Sequence, residues 1–492
     1  MQPLRLHVAP ELLREARPEI DWTLSTLLIG IGFPWRPVAT PDAACDLAYV
    51  TPATPSTAAV TVVAAPGAWQ ADADAFRGTF AHDACRWPQF TSTPPSAPFS
   101  ATGGRLVVHH DLIRYAYLLL TGHAESRWPL DGHGRFTFQE TDPHLLALRH
   151  ALVSSAGCWL QSRLEQLTGR SAMPRWPAGY QAAIALSHDV DYPEPVRWLE
   201  PARVIARLGA GGLGPGLGVA LGRRHHWHFR SWMDLERAVG ARSAFYFSAV
   251  QGSLVGRALG TPDVFYDVRG ERFRSVFREI ADAGFEVGLH MSYRACETAG
   301  QIGRERRRLE AAAGRAVLGG RHHYWRLLPG DPEATLREHE HAGLEYDCSL
   351  FHDRYAGWRR ATAWPFFPYD RRERRPLRTL QVPTGWMDDQ SYGMRRFNPG
   401  APDALLDELL DTTVAQRGCM AVDIHEYVFD PRLFPGWAAT YRRLLERAAS
   451  RGDVWLTAPG DIARHWRQRA GQLLAASEAI TGGSYCAPPA VA

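Results

Sequence analysis

The chain has 492 residues, 45% of them hydrophobic and 22% charged, with a formal net charge of +3. That is the profile of a packed globular protein of two or three domains, not of a disordered chain or a nucleic-acid binder. All 55 lysine-plus-arginine positions are arginine, which excludes Schiff-base chemistry, a phosphate-loop lysine and a Ser-Lys pair.

The first residues, Met1 to Trp22, meet charges every few positions and lack the apolar core of a signal peptide. No run approaches the ~18 to 20 apolar residues that cross a bilayer. A cytoplasmic protein is therefore expected, with no membrane span and no nucleic-acid partner. The seven cysteines (Cys45, Cys85, Cys158, Cys296, Cys348, Cys419 and Cys486) contain no Cys-x-x-Cys pair, which argues against a disulfide framework or a cysteine-based zinc site.

The first 175 residues mix short apolar segments with a Pro/Ser/Thr-rich stretch at 91–104, a helical pattern from His109 to Trp128 and a turn-rich segment at 129–138. Helical periodicity over 143–170 ends at a glycine, and 171–180, with two prolines, predicts a linker. From 181 onward strands and helices alternate. Ala182–Asp189 predicts a strand. The glycine-rich segment 208–222 predicts a mobile insertion, and Arg223–His228 a loop, its histidines spaced for neither a helix face nor a strand face. A helix near Trp232, a strand at 242–250, a helix at 271–284 and a strand at 285–293 follow, with Phe273, Val276, Phe277 and Ile280 on the buried face of the second helix. Helices at 297–314, 331–343, 401–418 and 438–452 then alternate with strands at 316–327, 344–351, 377–389 and 419–429, and 453–466 closes the series.

Such alternation implies parallel strands joined by crossover helices. Seven or eight units suit a closed or nearly closed barrel, with an open doubly wound sheet as the alternative. The expected organisation is α/β: a distorted (β/α)7-8 barrel over 176–470, preceded by a smaller α+β domain of unknown role over 1–175 and followed by a tail, 471–492.

In α/β barrels the working residues sit at the C-terminal ends of the strands. There this chain places Asp189 and Asp191, His290, His322 and His323, Asp347 and His425. Carboxylate with imidazole suits one divalent ion of borderline softness, zinc above all. A second carboxylate two residues from a ligand can take a proton from water beside the ion. Trp325, Trp364, Trp386 and Tyr392 also lie near strand ends; sugar stacking is open to some of them, and core packing is the preferred reading for each taken singly. Two arginine-rich runs, 303–310 and 371–378, read as solvated faces carrying internal Arg–Glu pairs.

The motifs of residues 181–466 resemble the polysaccharide deacetylase family (carbohydrate esterase family 4, the NodB-homology domain), and within it the branch whose first motif reads Asp-Val-Asp. "SHDVD" matches the first motif, "EVGLHMSYR" the second, "RHHYWR" the Arg-x-Pro-Tyr motif, "YDCSLF" the Asp-x-Ser motif and "VDIH" the Leu-x-His motif. The resemblance implies a barrel of the glycoside hydrolase/deacetylase type, a divalent metal and removal of an acetyl group from an amino sugar. It implies Asp189 as base, Asp191 and His290 as metal ligands, His425 as acid and Arg321 as the partner of Asp189. Tyr324, Asp347 and Trp386 are then the expected substrate contacts.

Arg294 stands where the family has its second histidine. His323 is the favoured third ligand, with His322, Asp388 or Asp389 as alternatives. The expected partner is a carbohydrate or an N-acetylated small molecule. A glycosidase on the same barrel and a non-catalytic carbohydrate-binding protein are the competing readings. Paired glycosidase carboxylates stand about 5 to 9.5 Å apart across the scissile bond, which an Asp-x-Asp on one strand does not suit.

Overall fold

Alternation of small and large side chains builds the centre of the molecule. The computed structural model describes residues 2–478 apart from 66, 68, 70–75, 84, 92–96 and 393–401; the tail beyond 478 and part of 91–104 lie outside the described residues. Ala182–Val190 forms β1, buried along its whole length. It is followed by β2 (Ala244–Phe247), β3 (Glu286–Met291), β4 (Gly319–His322), β5 (Tyr346–Asp347), β6 (Leu380–Gln381), β7 (Thr384–Met387), β8 (Cys419–Asp423) and β9 (Val454–Thr457). These strands pair in parallel in the order β6-β5-β4-β3-β2-β1-β8-β7, and β9 joins the first half of β1.

The expected strand at 377–389 is thus two strands. β6 pairs with β5 and β7 with β8, with only Val382 and Pro383 between them. Val382 donates its N–H to the Asp347 carbonyl and Pro383 accepts from the Ala421 N–H. One stretch of chain therefore serves both ends of the sheet and curls it into a barrel.

Because side chains alternate across a strand, each strand contributes one row to the barrel interior and one to the surrounding helices. Ala183, Ala185, Ala244, Tyr246, Tyr346, Cys419 and Ala421 belong to the inner core. Ile184, Leu186, Phe245, Phe247, Leu289, Met420 and Val422 belong to the outer one. The inner row is small because two tyrosines fill the space, their hydroxyls 3.2 Å apart. A Cβ added at Gly288 would lie 2.4 Å from the Tyr246 ring, and one at Gly319 2.5 Å from the Tyr346 ring. Gly288→Ala is therefore expected to cost about 1–3 kcal/mol through overpacking, read as a lower urea midpoint at unchanged m-value.

The segment expected as the first domain holds a six-stranded mixed sheet in the order Trp35–Pro37, Leu4–Val8, Leu47–Val50, Val60–Val63, Arg105–Val108 and Phe99–Thr102, antiparallel only at the last pair. Its core runs without a break into the barrel interior. The indole of Trp364 lies so close to Gly30 and Gly157 that a Cβ on either would approach it to 2.4 Å. The expected linker at 171–180 is pinned rather than free: Arg175 Nε donates to the Gly30 carbonyl at 2.7 Å and Trp176 Nε1 to the Arg417 carbonyl at 2.9 Å.

The segment expected as a mobile insertion is a helical hairpin, α1 (Glu200–Leu208) and α2 (Leu213–Ala220), joined by a 3-10 turn. Its glycines allow close packing: a Cβ at Gly212 would meet the Val204 carbonyl at 2.7 Å, and one at Gly216 the Pro201 carbonyl at 3.2 Å. A short helix, α3 (Leu254–Ala258), follows β2. Among the described residues no helix is long and apolar enough to cross a membrane.

Candidate active site

The inner rows end, at the C-terminal rim of the barrel, in charge. β1 delivers Ser187 and Asp189, with Asp191 just beyond; β3 delivers His290, β4 Arg321, and β8 Asp423 and then His425. Every one is at least nine-tenths buried except His425, at the lip.

Asp191, His290 and His323 offer ligand atoms that all lie within 4.8 Å of one another. His290 Nδ1 faces the Arg321 carbonyl at 3.1 Å, which assigns the ring proton to Nδ1. The lone pair of Nε2 is then aimed at Asp191 Oδ1, 3.3 Å away. Both atoms are buried and neither has a hydrogen-bond donor. Two acceptors held face to face need either a shared proton or a metal cation between them, and the residues present fit a metal ion. His323 presents Nε2 to Asp191 Oδ2 at 3.5 Å and has Asp263 3.8 Å behind its Nδ1, the carboxylate backing usual for a ligating imidazole. The Asp191 N–H donates to Glu426 Oε2 at 3.0 Å.

Burial alone would raise Asp191 and lower His323. Their mutual attraction prevails, holding the Asp191 carboxyl well below its usual range and pushing His323 up to about 9. A cation at this position takes the place of that proton.

Beside this cluster stands a second group, Asp189, Asp423 and His425, but its charge is already balanced. Arg321 Nη1 lies 2.9 Å from both Asp189 Oδ1 and Asp423 Oδ1, and Nη2 donates to Ser187 Oγ at 2.7 Å. The guanidinium sits between the rings of Tyr246 and Trp325, 5.0 and 4.6 Å from their centroids. Against the upward push of burial, Arg321, His290 and His425 hold the Asp189 carboxyl below its ordinary value. His425 directs Nδ1 to Asp388 Oδ1 at 2.8 Å, and its own N–H donates to Asp388 Oδ2 at 2.8 Å. Burial opposes its protonated form, but Asp388 outweighs that and raises it well above the usual imidazole value. Its Nε2 is left facing Asp191, 3.6 Å away.

Of the expected site residues, Asp189, Asp191, His290, Arg321, His323 and His425 come together. Tyr324 lies at the mouth, its ring 4.7 Å from that of His323. Tyr324 and Trp325 both have positive φ, 61° and 56°, a strained turn in two residues other than glycine. Asp347 and Trp386 are corrections: both are fully buried and offer nothing to a ligand. Asp347 accepts from Ser349 Oγ and N, and Trp386 Nε1 donates to Ser391. His322 turns outward onto His339, 2.8 Å away, Asp388 is taken by His425, and Arg294 reaches outward toward Glu297.

Three contributions were missed by sequence reasoning. Asp423 stands two residues before His425, and a period of two would have put both on the inner face. Asp263 comes from a loop without any sequence signal. The third is a turn of the first domain, Asp131–Arg135, at the rim of the site. His133 Nδ1 meets the Tyr293 hydroxyl at 2.9 Å, and its ring lies tilted against that of Tyr324, 4.8 Å between centroids. Arg135 donates to the Tyr324 carbonyl at 3.0 Å and pairs with Asp131 and Asp353.

Neither a protein-family model nor a curated protein sequence matches the chain. Solved structures that match include polysaccharide deacetylases and carbohydrate esterase family 4 proteins, among them pseudoenzymes, and an allantoinase. A Mycobacterium smegmatis protein assigned as a polysaccharide deacetylase is 18% identical, covering 61% of this chain and 95% of its own, with a TM-score of 0.39. The PuuE allantoinase is 19% identical, covering 61% and 94%, also with a TM-score of 0.39. A family 4 carbohydrate esterase from Streptomyces lividans, solved with acetate, is 14% identical, covering 56% and 91%, with a TM-score of 0.26. At such values the function has to be argued from the residues of the site.

Proposed function

We propose that the protein is a metal-dependent hydrolase that removes an N-acetyl group from an amino sugar or glycan precursor, with zinc as the first choice of ion. The observation that carries this reading is the buried, donor-free pair Asp191 Oδ1 and His290 Nε2 beside His323, with Asp189 and His425 flanking it. The ion would be held by Asp191, His290 and His323. When bound it supplies Lewis acidity, polarising the acetamide carbonyl and making water a nucleophile near neutral pH.

The chain's own groups do the rest. Asp189, held ionised and oriented by Arg321, takes the proton of the attacking water. His425, steered by Asp388, gives a proton to the departing amine nitrogen. A backbone N–H of the strained turn at Tyr324 faces the oxygen on which negative charge develops. The turn carrying His133 and the Tyr324 ring form the wall against which a sugar would lie.

Release of acetate from N-acetylated sugars by the zinc-loaded protein tests the reading. Asp189→Asn is expected to keep the ion and lose about 10³-fold in kcat. No turnover of any such substrate by protein with a full ion complement would end the deacetylase reading. His133→Ala is expected to raise KM about fivefold or more at unchanged ion content, the signature of lost uniform binding.

A further inference from the structure

Eight of the eleven large apolar side chains that are exposed among the described residues fall in two short segments. They are Trp198, Ile205, Leu213, Leu217 and Leu221 on the hairpin of α1 and α2, and Leu254, Val255 and Leu259 on and after α3. The pattern on α2 is the reverse of an ordinary surface helix. Leu213, Leu217 and Leu221 recur every four residues on one face, and that face is turned to solvent, Leu213 being 61% exposed. The face packed on α1 is made of Gly212, Gly216 and Val219. A helix that turns Gly216 and Val219 inward and presents its leucines to solvent is built to meet something apolar.

The charge around it selects the partner. Across residues 195–225 there are five arginines (Arg197, Arg203, Arg207, Arg223 and Arg224) and a single carboxylate, the buried Glu200, which lies against Arg203 and Arg207; Arg224 pairs with Asp430 from outside the segment, so the cations still outnumber their carboxylates. Arg257 adds a further cation on α3. A second copy of the chain, docked two-fold on this face, would set these arginines against their own equivalents. An apolar helix face bordered by arginine and an exposed tryptophan, Trp198, matches the interfacial zone of an anionic bilayer.

Position gives the surface a role. The hairpin leaves the C-terminal end of β1 and α3 that of β2, so both stand on the rim that carries the site. They meet at Tyr192, next to Asp191: Arg257 Nη1 donates to the Tyr192 hydroxyl at 2.7 Å, and the Arg203 guanidinium lies 5.8 Å from the ring centre. His226 Nδ1 contacts the Tyr192 carbonyl at 3.0 Å.

We propose that α1, α2 and α3 form a docking surface for an anionic membrane, set so that the mouth of the barrel opens at the lipid headgroups. Joined to the hydrolase reading, on which this one step rests, the placement names an N-acetylated sugar carried on a lipid as the substrate class.

The test is flotation of the full chain with vesicles of phosphatidylcholine alone or mixed with phosphatidylglycerol, at low salt. Wild type is expected to float with the anionic vesicles and to remain behind with the neutral ones. The variant L213S/L217S/L254S, altered only at exposed positions, should lose at least tenfold in binding, and R197Q/R223Q severalfold on anionic vesicles alone. Asp189→Asn, inactive on the hydrolase reading, should bind like wild type, so docking stands or falls apart from catalysis. No flotation with anionic vesicles, or equal flotation of the leucine variant with unchanged thermal unfolding, overturns the proposal. So does a micromolar dimer that the leucine variant dissociates while wild type ignores vesicles, because the face is then covered by a second copy.

Discussion

Protein reconstituted with zinc is expected to hold close to one ion per chain, and His323→Ala to hold less than about a tenth as much. The expectation rests on the proposed role of His323 as third ligand, Arg294 facing outward where the resembled motif carries a histidine. Asp191 and His290 alone leave an ion with two protein ligands, whereas sites of this kind use three with one open position. His323 completes the set from β4, with Asp263 fixing its ring from behind. Elemental analysis of wild type, Asp191→Ala, His290→Ala and His323→Ala, with His322→Ala as the control that keeps its ion, decides the matter. Retention by His323→Ala would move the third ligand elsewhere; the same loss in His322→Ala would mean that the site collapses when its surroundings are disturbed.

The second large effect concerns folding. Arg321→Met is expected to lower the unfolding free energy by about 3–5 kcal/mol, because it strands two buried carboxylates, Asp189 and Asp423, without their shared counter-charge. In a chain of this size that corresponds to a fall in Tm of roughly 3–5 °C. The double variant Arg321→Met with Asp423→Asn should recover a good part of the loss, since one of the stranded charges is gone. Burial and the like charge of Asp189 already push the Asp423 carboxyl well above its usual value, with Arg321 opposing. Calorimetry of the single and double variants measures this; a double variant no more stable than the single would locate the cost in lost packing between Tyr246 and Trp325.

Much of the site was legible because strands have a period of two. Asp189 and Asp191, His290, and His425 all stand on inward positions, and the motif "VDIH" already contained Asp423. The same rule explains the errors. In β5 the inward residue is Tyr346, so Asp347 points outward to Ser349. At β7 the register shifts between Thr384 and Trp386, and this bulge turns Trp386 into the outer core while Asp388 reaches His425. The hairpin at 200–220 was misread because glycine was taken as freedom; Gly212 and Gly216 instead permit contact between helices. The turn at Asp131–Arg135 had no readable role, since nothing local tells which distant rim a turn will meet.

The single stretch 380–387 has a consequence for how the molecule comes apart. Ordinary sheets can shed an outer strand and keep the rest, leaving backbone groups open to a stranger. Here the two end strands of the eight-strand path, β6 and β7, are not independent: peeling Leu380 from Tyr346 pulls on Thr384 and its hold on Ala421. A chain cut short before 380 would gain two sticky margins at once, so such fragments are expected to clump.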